Sequence, residues 1–137
     1  MEPRDPAPVP FERSFDAQIG LTYERIEPRE VVAALEVRPE LLDRNGRLHG
    51  GVLTAIAEGS ASMGTAAGVM PDGMAASGMS NNTSVLADVT AGRITVVARP
   101  RAAQPDLWIW DVEALDEQGR TCALSTVLVA VRPMQPR

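Results

Sequence analysis

The chain has 137 residues, of which 45% are hydrophobic and 23% charged, and its formal net charge is −5. This length suits one domain with one hydrophobic core, and the composition is that of a globular protein rather than a fibrous or membrane-embedded one. The negative charge disfavours a nucleic-acid partner, because phosphate binding needs a basic face. One cysteine and one histidine cannot assemble a zinc site of the usual kind or an intramolecular disulfide, which fits a cytoplasmic location.

The N-terminal region contains prolines at positions 3, 6, 8 and 10. Proline removes backbone donors and disfavours helix in the residue before it, which predicts a flexible or extended tail over residues 1–10. No secretory signal is expected, because a basic and then apolar run is missing. Residues 11–137 are predicted to form a single domain. It would begin with a short amphipathic turn or helix that faces Phe11 and Phe15 inward.

Two strands are predicted next, at residues 21–26 and 31–37, with a Glu-Pro-Arg-Glu break between them. A long segment of small and apolar residues then runs from residue 50 to 70. Polar residues interrupt it repeatedly, which favours a buried helix of a soluble protein over a membrane span. We therefore expect no membrane partner.

The remainder of the chain is rich in strand patterns. Four further strands are predicted at residues 75–86, 93–99, 107–115 and 121–132. Turn residues between the last three indicate an antiparallel meander. The whole order predicts an α+β fold, in which a curved, mostly antiparallel sheet of about six strands wraps one long central helix.

Glu58 is the single charged residue of the predicted long helix. The helix is otherwise so apolar that we expect this carboxylate to be held largely away from water. Thr54, Glu58 and Ser62 are spaced four residues apart, so they form one stripe that can line a cleft. A carboxylate there suits general-base work on water or attack on a carbonyl. The alternative is a polar stripe that reaches solvent or satisfies a backbone group.

The sequence His49-Gly50-Gly51 comes directly before this helix. Glycines allow close approach to the backbone, and the first amides of a helix have no intrahelical partner. Such amides can bind an anion or a developing oxyanion, with help from the helix dipole. Alternatively, the glycines are ordinary loop residues and His49 is a structural histidine bonded to a backbone carbonyl.

Together, the Asn45-Gly-Arg-Leu-His49-Gly50-Gly51 run and the acid at Glu58 resemble the signature of hotdog-fold thioesterases of the phenylacetate-degradation type. The resemblance extends over most of residues 21–131. It implies a hotdog fold and hydrolysis of an acyl-CoA thioester to free acid and CoA, without a metal or redox cofactor. It also implies a homodimer or homotetramer with active sites at the subunit interface.

The resemblance further implies a role for each residue of the signature. The Gly50 amide, with or without that of Gly51, would polarise the thioester carbonyl. Glu58 of the neighbouring subunit would activate water or attack directly. The remaining orienting groups would be Asn45, His49 and Ser62.

Three positions depart from the family pattern. Asp43 stands where the family often has Asn or Gln, and Asn45 is the nearby substitute. The family's Ser, Thr or Asp after the helix corresponds to either Ser77 or Ser80. A Gly-Arg or Gly-Lys that meets CoA is missing. Arg99 and Arg101 lie just upstream and are the candidate replacements for that charge. The alternative is that they are ordinary solvated residues at a strand end.

Other residues receive structural interpretations. Trp108 and Trp110 lie on one side of a strand and are expected to pack in the core or an interface rather than stack on a ligand. Cys122 is expected to be a buried small hydrophobe. Two alternative functions are a non-catalytic acyl-CoA-binding module and the hydratase branch of the hotdog folds. The sequence leaves open the acyl group, the carrier, the oligomer size and the choice between base and nucleophile.

Overall fold

The computed structural model describes residues 8–135, so residues 1–7 of the predicted tail lie outside the described part. Helix α1 is followed by two strands and the long helix α2, with the bounds Phe15–Gln18 (α1), Thr22–Glu27 (β1), Glu30–Glu36 (β2) and Gly50–Val69 (α2). Four strands complete the described chain, with the bounds Met74–Val85 (β3), Arg93–Ala103 (β4), Leu107–Leu115 (β5) and Thr121–Pro133 (β6).

The six strands form one sheet in the order β1-β2-β4-β5-β6-β3, and all neighbouring strands are antiparallel. Strands β4, β5 and β6 follow one another in sequence and in the sheet, which confirms the predicted meander. Helix α2 lies on one face of the sheet and contacts every strand. One long helix wrapped by a six-stranded antiparallel sheet is the hotdog architecture, so the predicted fold class is confirmed.

Two tryptophans of β5 explain the small residues of α2. Trp110 is fully buried, and its indole N–H donates to the Thr65 hydroxyl at 2.8 Å. A Cβ atom added at Gly64 would lie only 2.7 Å from Cζ2 of Trp110. Trp108 stacks on Trp110 with ring centroids 6.0 Å apart, and it covers Gly68 in the same way. The expectation of a packing role in the core or an interface is confirmed for Trp110, which lies in the core, and Trp108 is partly buried against it.

Helix α2 is covered along most of its circumference, as its composition predicts. Of its residues, only Gly51 and Glu58 are exposed in the single chain. Within residues 8–135, no helix combines the length and the apolar character that crossing a membrane requires.

Cys122 of β6 is fully buried, as expected. Its thiol donates to the backbone oxygen of Ala114 at 3.2 Å. Burial raises the pKa of this thiol, because the thiolate would be desolvated.

Strand β4 continues to Ala103, beyond its predicted end at residue 99. The register with β5 shifts between Pro100 and Ala102. Proline donates no ladder hydrogen bond but is tolerated at a bulge, where the partner strand does not need that donor. The prediction stopped one residue before this proline.

The orientation predicted for Phe11 and Phe15 is wrong. Their exposed fractions are 43% and 64%, respectively. Helix α1 is a single turn whose N-cap Ser14 accepts the backbone N–H of Ala17. The α1 side chain that lies against α2 is the polar Asp16, next to Gly59, and not a phenylalanine as predicted.

Candidate active site

The start of α2 is capped by a histidine. His49 is the N-cap residue, and its Nδ1 accepts the backbone N–H of Gly51 at 2.8 Å. An accepting Nδ1 places the ring proton of a neutral imidazole on Nε2. The Gly50 N–H meets no acceptor among the described residues. The helix therefore offers one unpaired amide at the positive end of its dipole, and that amide is Gly50 rather than Gly51.

The loop before the helix uses the carboxylate of Asp43 for its own structure. One oxygen of Asp43 accepts the backbone N–H groups of Asn45, at 2.8 Å, and Arg47, at 3.1 Å. These hydrogen bonds lower the pKa of Asp43, with a smaller contribution from the Arg47 charge. Asn45 is exposed at the tip of the turn. Asp43 is thus an anionic loop residue, and one of its carboxylate oxygens is engaged by the backbone of its own loop.

A cleft of about 300 Å³ lies between α2 and β3. One wall is a face of the helix and the other is the middle of the strand, and together they comprise Gly51, Thr54, Ala55, Glu58, Gly78, Met79, Ser80 and Asn81. The predicted stripe of helical polar residues thus opens on a cleft at Thr54 and Glu58. Ser62, the third member of the stripe, is not part of the lining.

Glu58 is exposed in the single chain, so the expectation of a carboxylate held largely away from water is wrong for the isolated subunit. Its side chain lies across the backbone of Gly78. A Cβ atom at Gly78 would overlap Oε1 of Glu58 and lie 3.2 Å from its Cδ. The absent side chain of Gly78 is therefore what lets the carboxylate lie against β3.

A second acidic side chain lies beside the turn that carries Glu58. Tyr23 donates its hydroxyl proton to Asp16 at 2.9 Å. A Cβ atom at Gly59 would lie 2.9 Å from an Asp16 oxygen and 3.0 Å from the Tyr23 hydroxyl. Burial, followed by the charge of Asp16 and then that of Glu58, raises the pKa of Tyr23 well above its usual range. No sequence signal indicated this pair.

Hydroxyl groups along α2 differ in their partners. Ser60 and Thr65 donate to the carbonyls of Ile56 and Ala61, one turn earlier in the helix. The Oγ atom of Ser62 is buried and has no hydrogen-bond partner. A buried hydroxyl without a partner costs free energy. Ser62 therefore holds an unused hydrogen-bond donor at that cost, one turn beyond Glu58.

The structure separates the two serine candidates of β3. Ser80 lines the cleft, and Ser77 does not. The register with β6 shifts between Gly78 and Ser80, which makes Met79 the additional residue of a bulge. Sequence reasoning missed three cleft residues that this bulge presents, namely Gly78, Met79 and Asn81. The signal that was present is the polar run in the middle of a predicted strand.

Arg99 and Arg101 do not reach this cleft. They line a separate groove of about 600 Å³ with side chains of β3, β4, β5 and β6. Arg99 pairs with Glu30 at 2.8 Å, and Arg101 makes a two-pronged contact with Asp111 at 2.7 and 3.0 Å. Both cations are already paired with carboxylates in the single chain.

Comparisons with known proteins show that the chain is similar to esterases and thioesterases. The provisionally named esterase Rv1847 of Mycobacterium tuberculosis is 34% identical over 129 residues, which are 91% of each chain. Its solved structure superposes with a TM-score of 0.86 at 31% identity, and the match covers 89% of this chain and 98% of that one.

One further relative is a hydrolase, and one further solved structure shares the fold. The 1,4-dihydroxy-2-naphthoyl-CoA hydrolase of Listeria monocytogenes is 31% identical over 114 residues, which are 83% of this chain and 92% of that protein. A variant of thioesterase PA1618 from Pseudomonas aeruginosa has the same fold, with a TM-score of 0.85 at 24% identity over 89% of this chain and 88% of that one. No family model matches the chain.

Proposed function

The chain belongs to the hotdog-fold family of esterases and thioesterases, and we propose that it hydrolyses an acyl-CoA thioester with Glu58 as its reacting carboxylate. The observation that carries the proposal is a single helix, α2, with an unpaired amide at Gly50 and an acid that lines an open cleft at Glu58. An amide donor can stabilise the developing oxyanion and a carboxylate can activate water, which are two tasks in the hydrolysis of a thioester.

The proposed oxyanion donor is the Gly50 amide. A donor that is unpaired before substrate binds needs no bond broken when negative charge develops on the carbonyl oxygen. The amide of Gly51 is bonded to His49, so the role of His49 in this proposal is to cap the helix and fix its first turn.

Two subunits are needed for one complete site in this proposal. Gly50 and Glu58 are eight residues apart on the same helix, a separation of about 12 Å along its axis. One thioester cannot contact both groups of the same chain. Strand β3 forms an edge of the sheet, where unpaired backbone groups suit pairing with a second copy. A homodimer, or a homotetramer built from such dimers, would bring the amide of one subunit to the acid of the other.

The chemistry follows two routes that share the same groups. As a general base, Glu58 takes a proton from water while the water oxygen bonds to the carbonyl carbon, and the C–S bond then breaks with the proton passed to sulfur. As a nucleophile, Glu58 forms an anhydride and releases the thiolate, and water hydrolyses the anhydride in a second step. The products are the free acid and CoA in both cases. The unused hydroxyl of Ser62 is the proposed orienting group one turn away.

The acyl-CoA substrate class is supported by the similarity to a protein that is named as a CoA hydrolase. The CoA contacts proposed for Arg99 and Arg101 would require phosphate to compete with Glu30 and Asp111, their partners in the single chain. The cytoplasmic location and the phenylacetate-degradation subtype remain predictions from the sequence. Asn45 is exposed and does not line the cleft of its own chain. Its role as an orienting residue therefore stays a proposal.

The first test is release of free thiol from a panel of short-chain, medium-chain and aromatic acyl-CoAs, with an acyl-carrier-protein thioester for comparison. We expect Glu58→Ala to lower kcat by about 10²–10⁴-fold on the preferred substrate. Glu58→Gln is the matched control for side-chain size, and it should be similarly impaired because it cannot accept a proton. Wild-type turnover in both variants would refute the proposed role.

The second test addresses the shared site. Gly50→Pro removes the proposed donor at the first helical position, where proline is well tolerated. The backbone of His49, with φ −61° and ψ 131°, suits a residue before proline. Gly50→Pro and Glu58→Ala should each be inactive alone. After mixing under conditions that exchange subunits, about a quarter of the sites of a two-fold dimer would be intact. An absence of recovered activity, despite verified exchange, would contradict the shared site.

A non-catalytic acyl-CoA-binding module is the second candidate function. The observation that favours it is Asp43, whose negative charge stands at the position where the family often carries a neutral amide. Recovery of intact acyl-CoA from a complex after prolonged incubation would favour this alternative.

A further inference from the structure

Asn81 lies on β3 and lines the same cleft as Glu58. Its Nδ2 donates to the carbonyl of Thr54 at 2.9 Å, and its Oδ1 accepts the hydroxyl proton of Thr83 at 2.8 Å. Asn81 thus joins strand β3 to helix α2 at the floor of the cleft.

The bulge in β3 determines the direction of this side chain. Before the bulge, Ala76 and Gly78 face the helix, and regular alternation would next direct Ser80 inward. The additional residue at Met79 shifts the alternation, so Asn81 instead lies opposite the buried Val127 of β6. Bulges commonly redirect a side chain beside an active site.

The orientation of the Asn81 amide follows from its neighbours. The Thr54 carbonyl can only accept, so the atom that faces it must be Nδ2. Thr83 donates to Oδ1 and is also 2.7 Å from the Ser125 hydroxyl, which therefore supplies the proton to Thr83. This chain of hydrogen bonds leaves the second hydrogen of Nδ2 without an acceptor in residues 8–135.

The same hydrogen bonds connect Asn81 to the turn that carries the acid. In an α-helix, the carbonyl of Thr54 accepts the backbone N–H of Glu58, four residues later. Asn81 donates to that same carbonyl oxygen. The Thr54 carbonyl therefore binds both the Asn81 amide and the backbone N–H of Glu58, and the two residues line opposite walls of one cleft.

The residues that sequence reasoning assigned to an orienting amide do not reach this position. Asp43 is engaged in its loop, and Asn45 is exposed at the tip of that loop. Asn81 is the carboxamide that lines the cleft in the described chain.

We propose that Asn81 is a catalytic residue that holds the attacking water through the second hydrogen of its Nδ2, while the water donates a proton to Glu58. The water oxygen bonds to the thioester carbon, its proton passes to Glu58, and the sulfur leaves and is protonated from that acid. On the nucleophilic route, the same water attacks the anhydride. The inference rests on the proposed hydrolytic function.

The test compares Asn81→Ala with Thr83→Val on the preferred acyl-CoA. Both variants break the chain of hydrogen bonds through β3, but Thr83→Val keeps the Asn81 N–H groups. We expect Asn81→Ala to lower kcat by about 10²-fold, with KM near the wild-type value, because a donor to the reacting groups is lost. Thr83→Val should keep most of the turnover. If Asn81→Ala does not fold, Asn81→Asp replaces it, since it matches the size and lacks the N–H groups.

Three outcomes separate the hypotheses. Wild-type kcat in the folded Asn81 variant, while Glu58→Ala is impaired, would overturn this inference alone. Equal losses of kcat and of thermal stability in Asn81→Ala and Thr83→Val would show a structural role and would also overturn it. Wild-type kcat in Glu58→Ala would overturn the proposed function together with this inference.

Discussion

Substitution of Gly78 by alanine should lower the activity without lowering the stability of the protein. The new methyl group would overlap Oε1 of Glu58 and lie 3.2 Å from its Cδ. Ordinary carbon–carbon contact is about 3.5–4.0 Å, so the carboxyl group must move by at least several tenths of an ångström. Glu58 is exposed and its side chain is flexible, so this movement costs little folding energy.

The expected loss of activity comes from the displaced carboxylate. A misplacement of about 1 Å at a reacting group can cost 10²-fold in rate, so we expect kcat of Gly78→Ala to fall by about 10- to 10²-fold. Stability should be unchanged or higher, because glycine inside a strand is worse than alanine by roughly 0.5–1 kcal/mol. Thiol release and urea denaturation measure the two effects on the same preparation.

A double-mutant cycle provides the control for Gly78→Ala. If the methyl group acts through Glu58, the double variant with Glu58→Ala should be no slower than Glu58→Ala alone. Two outcomes would contradict the reasoning. One is wild-type kcat in folded Gly78→Ala, and the other is a further loss of rate in the double variant.

Three further predictions concern stability. Gly64→Ala should destabilise the protein by about 1–2 kcal/mol in urea denaturation, because overpacking against Trp110 costs about 1–3 kcal/mol and outweighs the helix propensity gained; increased stability would contradict the contact. Folding raises the pKa of Tyr23, so the linked stability is present below about pH 10 and lost above it. Tyrosinate absorbance should therefore appear only with unfolding, and Tyr23→Phe should flatten the alkaline loss. Hydrogen bonds from Arg120 lower the pKa of Asp116, so the stability linked to Asp116 is present above about pH 4 and is lost as the pH falls below that value. In acid denaturation, Asp116→Asn should be less stable at neutral pH and less sensitive to acid.

The elements that could be predicted from the sequence are those with a local signal. The long helix was predicted over residues 50–70 and is observed at Gly50–Val69, and strand β5 was predicted with its observed ends. The end of β4 was missed because the rule that proline breaks a strand is local, whereas the bulge at Pro100 depends on the partner strand. Phe15 was misplaced because a one-turn helix is oriented by tertiary contacts rather than by its own periodicity.

The candidate site divides in the same way. His49, Gly50 and Glu58 were found because their spacing along one helix is fixed by helical geometry. Asn81 was not found because a one-residue bulge decides which face of β3 it occupies, and the sequence carries no direct signal of that bulge. The burial of Glu58 was predicted from the composition of the helix, but burial also depends on whether a second subunit covers the cleft.

The buried thiol of β6 gives the molecule a built-in reporter of opening. Cys122 is the chain's single cysteine, it is fully buried, and burial raises the pKa of its thiol. A thiol reagent should therefore react only when β6 separates from its neighbours. The rate of Cys122 labelling then reports opening of the sheet around β6, which lies between β5 and the edge strand β3. The same measurement applies to wild-type protein and to every variant described above, without an engineered cysteine.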